Sequence, residues 1–62
     1  MSDKDVIQKA YESSLAQVYA TFVLAYTDAL GDKEKEADAE SRFRTGVLHV
    51  RFLRDRALAL LP

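Results

Sequence analysis

The sequence predicts an all-α fold: an antiparallel two-helix hairpin, expected to dimerise into a four-helix bundle. Three observations carry this expectation. Ser13 to Thr27 (SSLAQVYATFVLAYT) is a 15-residue run without a charge, in a chain that is 31% charged. A lone surface helix places charged side chains on its solvent face at every turn, so this run predicts a helix covered on more than one side. Next, the only turn signal inside the chain is Gly31-Asp32, almost at its midpoint. Finally, 62 residues form at most one small domain, whose single core is marginal without reinforcement. With no cysteine there are no disulfides or thiolate metal sites, and one histidine removes the common zinc sites. Self-association is the reinforcement that remains.

The first helix is predicted over about residues 3–30. Ser2 followed by Asp5 is a variant of the capping box, in which the cap hydroxyl and the third helical carboxylate each satisfy a free amide. Gly31 suits the left-handed position after a helix, and Asp32 suits the N-cap of the next, making 31–32 the turn. The second helix is predicted over about 33–61, stopped by Pro62. Asp32, Glu34, Glu36, Asp38 and Glu40 crowd its start, and Arg42, Arg44, Arg51, Arg54 and Arg56 follow, an order that suits the helix dipole. Asp38–Arg42 and Glu40–Arg44 are acid-before-base pairs one turn apart. The acidic run therefore reads as a solvated helix start.

Each helix carries an apolar seam at alternating spacings of four and three, the period of left-handed helix pairing. On the first it is Ile7, Tyr11, Leu15, Val18, Phe22, Ala25 and Ala29; on the second, Ala39, Phe43, Gly46, Val50, Leu53, Ala57 and Leu60. Folding about the turn is expected to set Phe22 near Ala39, Val18 near Phe43 and Leu15 near Gly46. The seams leave apolar residues over: Tyr19, Val23, Tyr26 and Leu30 as a second ridge, Val6 and Leu24 pointing elsewhere, and Leu48, Phe52 and Ala59 nearly opposite the second seam. A monomer would leave these wet as a sizeable patch. The interface of a homodimer is accordingly expected at Tyr11, Leu15, Val18, Tyr19, Phe22, Tyr26, Phe43, Val50 and Leu53. Leu48 and Phe52 are candidates for binding another protein helix, and covering the Phe52 ridge within the assembly would take a tetramer. The far side of the first helix is small and neutral (Ala10, Ser13, Ser14, Gln17, Ala20, Thr21), suited either to close helix approach or to plain solvent exposure.

Candidate chemistry is sparse. His49 has no carboxylate one turn away to orient it as a base, so it reads as an exposed or interfacial polar residue. Glu34 with Asp38 and Glu36 with Glu40 lack the Glu-x-x-His partners of a bundle metal site. No nucleophile motif, phosphate loop or triad signature occurs. The expectation is a non-enzymatic protein with no catalytic residue, metal or cofactor. Arg44, Arg51 and Arg54 share one side of the second helix, and paired strips of them in a dimer are the basis of an alternative, RNA binding. The blander reading sets them in ion pairs, Arg51 level with Glu12 and Arg56 with Asp5, with Arg42 or Arg44 over Tyr19 or Tyr26. Tyr19 and Tyr26 themselves read as seam-edge rings with wet hydroxyls.

A net charge of −1 gives no general attraction to nucleic acid or membrane, and the uncharged run is shorter than the ~20 residues of a membrane span. No secretory signal is evident in MSDKDVIQKA, and the expected location is cytoplasmic. In length and topology the chain resembles the class of small helical hairpins that dimerise into four-helix bundles. That class includes a plasmid-encoded RNA-binding regulator and several small secretion chaperones. No motif matches residue by residue, so no functional residue is carried over.

Overall fold

The computed structural model describes all residues, Met1–Pro62, as two helices, α1 (Asp3–Ala29) and α2 (Lys33–Ala59), packed side by side as a hairpin. Local chemistry sets each boundary. The Ser2 hydroxyl accepts from the Asp5 amide at 3.2 Å and the Asp5 carboxylate accepts from the Ser2 amide at 3.3 Å, a complete capping box. At the turn, Gly31 has φ +92°, the left-handed region that only glycine enters without strain. Asp32 then caps α2, its carboxylate accepting from the amides of Glu34 (3.1 Å) and Lys35 (3.2 Å). Glu36 reaches back to accept from the Gly31 amide at 3.0 Å, tying the turn to the first turn of α2. α2 stops two residues short of the expected 61, because the Leu60 amide turns to the carbonyls of Arg56 and Ala57 in a tightened last turn.

The α1 seam is as expected: Ile7, Tyr11, Leu15, Val18, Phe22 and Ala25 are half-buried and Ala29 is buried, joined by Tyr26. The α2 seam departs from expectation toward its C-terminus. Leu53 and Leu60 are 49% and 69% exposed, while Val47, Arg54, Leu58 and Leu61 turn inward. A straight α-helix drifts ~20° per heptad against a strict 3.5-residue repeat, so over three heptads the contact stripe moves to the neighbouring positions.

The pairing across the hairpin also differs from expectation by one seam step. Phe22 packs on Phe43, ring centroids 4.7 Å apart, and Val18 lies over Gly46, where a Cβ would meet Val18 Cγ1 at 3.0 Å. Part of the cause is the lean of every Cα–Cβ bond toward its helix N-terminus. In an antiparallel pair, α1 side chains lean away from the turn and α2 side chains toward it. The lean, about one residue on each helix, accounts for about two of the three to four residues of this difference.

Two helices side by side make a slab, not a core. The Cα trace measures 49 × 17 × 7 Å, and only Ala29 and Ala39, each 4% exposed, are fully buried. Both border a shallow pocket at the turn end.

Candidate functional site

The slab has two broad faces and two edges, and their chemistry differs. One face carries a groove of about 440 Å³ along the helix junction. Its floor is Val18, Phe22, Phe43 and Val50, and Ser14, Gln17 and Thr21 form its α1 wall. Of its lining residues only Arg42 is charged. Gly46 lies in the same groove, and the missing side chain keeps α2 low against Val18. Toward the open end the groove continues into a smaller pocket bordered by Ile7, Ala10, Tyr11, Leu53, Arg54 and Ala57, and toward the turn into one bordered by Asp28, Lys35 and Asp38. The small neutral residues of α1 thus flank an apolar trough.

The opposite face has an acidic border. Leu15, Ala16, Tyr19 and Phe43 make an apolar patch there, with Glu12 at its border. Tyr26 sits against Phe22 with centroids 5.2 Å apart, and its hydroxyl lies by Glu36 and Glu40. The negative charge of Glu36 first, then partial desolvation and the neighbouring Glu40, hold the Tyr26 phenol above its ordinary pKa. At the open end of the groove side, Arg54 lays its guanidinium over the Tyr11 ring, 4.4 Å from the centroid, and donates to Asp55 at 3.0 Å. A half-exposed cation–π contact of this kind is worth ~0.5–1 kcal/mol.

The expected charge contacts resolve as follows. Asp38 and Arg42 pair at 3.0 Å on the exposed side of α2. Glu40 and Arg44 form no ion pair, nor do Arg51 with Glu12 or Arg56 with Asp5. The cation–π contact expected at Tyr19 or Tyr26 forms at Tyr11 instead, because the one-step register change brings Arg54 to that ring. Of the arginines considered for phosphate binding, Arg44 and Arg51 are exposed without an ion partner, and Arg54 is half-buried and engaged.

Of the residues expected at an oligomer interface, Tyr11, Leu15, Val18, Phe22, Tyr26, Phe43 and Val50 line the intrachain junction and are half-buried, while Tyr19 and Leu53 are exposed. Leu48 and Phe52 stand on the outer edge of α2, 62% and 63% exposed. Sequence reasoning named Ser14, Gln17, Thr21 and Gly46 only as a small-residue surface and a seam position; their meeting in one groove emerges from the fold. His49 is exposed and forms no hydrogen bond or ion pair. No group of three or more acidic or histidine side chains converges to hold a metal ion, and neither helix is long and apolar enough to cross a membrane. The chain matches no known protein family, no curated protein and no solved structure.

Proposed function

We propose that this protein is a non-enzymatic, homo-oligomeric helical hairpin that acts as a protein-interaction module, an adaptor or regulator. One observation carries the reading. A folded monomer of 7.0 kDa is expected to expose about 4,000 Å². This hairpin exposes 4984 Å². The excess is close to the ~800 Å² that each partner buries in a standard interface. Large apolar side chains including Tyr19, Leu24, Leu48 and Phe52 make up part of that surface. Pairing two slabs into a four-helix bundle covers one broad face of each and creates a core that one copy lacks.

Leu48 and Phe52 lie on an edge of α2 rather than on either broad face, so face-to-face pairing leaves them available. They fit the apolar face of another protein's amphipathic helix. The test is mass by light scattering over a dilution series, followed by partner capture with wild type and Phe52→Asp. The expected result is twice 7.0 kDa for both proteins, with specific capture lost only in the variant. A 7.0 kDa particle that melts cooperatively at every dilution overturns the oligomer.

A second reading, RNA binding by paired arginine strips, draws on the unpaired Arg44 and Arg51. It predicts affinity that falls steeply with salt, because phosphate contacts release counterions. The six acids that outnumber two lysines between Asp28 and Glu40 oppose it.

A further inference from the structure

We infer that two copies stack through the groove face that holds Ser14, Gln17, Thr21 and Gly46, in opposite directions, α1 on α1 and α2 on α2 about a two-fold axis. The inference rests on the homo-oligomer reading above and specifies its geometry.

Area and charge select the face. Each broad face spans 49 × 17 Å, about the ~800 Å² per partner of a standard interface. On the groove face the trough is apolar with small neutral walls and Arg42 in its lining, and charges of both signs flank it, Asp28, Lys35 and Asp38 at the turn end and Arg54 at the open end. The opposite face is bordered by Glu12, Glu36 and Glu40, all acidic, and stacking it on a second copy would desolvate carboxylates with no cation among them.

Charge order selects the direction. Residues 28–40, around the turn, carry six acids and two lysines, net −4. Residues 41–62 carry five arginines and Asp55, net +4 with His49 neutral. Stacking with turns at the same end places two acidic ends together. Reversing one copy places each acidic end over the other's arginines, which favours association and the correct partner orientation.

Particular residues then fall into place. Asp38 and Arg56 are 18 residues apart, five turns at ~3.6 residues per turn, so they lie on the same side of α2. An axis at the level of Gly46 carries Asp38 of one copy to Arg56 of the other, once the N-terminal lean of side chains is included. The contact of Val18 with Gly46 puts the same axis beneath Gln17 on α1, so Gln17 meets its own counterpart.

The absence of native cysteine makes this testable with single thiols at exposed positions. Gln17→Cys is expected to give a covalent dimer on mild oxidation or with a short bis-maleimide, and Ala16→Cys, on the opposite face, is expected to stay uncrosslinked. Circular dichroism of both variants checks that the helices persist. Independently, Asp38→Arg and Arg56→Asp should each weaken dimerisation about fivefold, and the double variant should restore it. Crosslinking at Ala16→Cys instead, or at neither position while wild type has twice the single-chain mass, overturns the stacking but leaves the oligomer standing. Wild type at single-chain mass overturns both.

Discussion

At the scale of single residues, the turn is the best-determined part of the molecule. Asp32 satisfies two amides at the start of α2, and Gly31 supplies the positive φ and an amide that Glu36 accepts. A Cβ at Gly31 would meet nothing within 4 Å, so any penalty for substituting it is one of backbone conformation rather than space. Asp32→Ala removes both cap bonds and is expected to destabilise the fold by about 1 kcal/mol, measured by urea titration. Both residues were legible in the sequence, because caps and left-handed positions depend on local chemistry. The destination of the arginines was not. Arg54 on Tyr11 required the pairing register, which lies a whole seam step from the one the turn alone implies.

At the scale of the helices, the two are held together by a thin stripe: Phe22 on Phe43, Val18 over Gly46, and Arg54 over Tyr11. Gly46 sets how closely the helices approach. Replacing it with leucine drives a branched side chain into Val18, and the cost of such overpacking is ~1–3 kcal/mol, offset in part by the helix propensity gained on losing glycine. Gly46→Leu is therefore expected to lower the thermal midpoint in a circular-dichroism melt while leaving low-temperature helicity high. Unchanged melting would mean that the junction is looser than the 3.0 Å approach implies. Helix existence and the α1 seam were legible because apolar periodicity reports directly on one face. The end of the α2 seam was not, since the 3.5-residue spacing of Leu53 and Leu60 outruns the geometry of a straight helix.

At the scale of the whole molecule, the dominant fact is that only Ala29 and Ala39 are fully buried. Hydrophobic burial must offset the conformational entropy of ordering the chain, and two alanines with a half-buried stripe offer little. Stability should then come from association, and the thermal midpoint should rise with protein concentration, as mass action requires. Melts over a hundredfold concentration range check this; a constant midpoint would place the stability within one copy. The charge division, net −4 over residues 28–40 and +4 over residues 41–62, acts at this scale too, as a polarity along the slab that a reversed second copy would neutralise.

The sequence by itself determined that there are two helices, where they begin, what breaks them, and that more apolar surface exists than one hairpin hides. These follow from nearest-neighbour chemistry and from periodicity, both written along the chain. Only the tertiary structure decided which residues meet across the junction, which arginine is engaged, and that Ser14, Gln17, Thr21 and Gly46 share a trough. Those outcomes depend on the offset and rotation of one helix against the other. A few degrees per turn, accumulated over 27-residue helices, exchange one set of neighbours for the next.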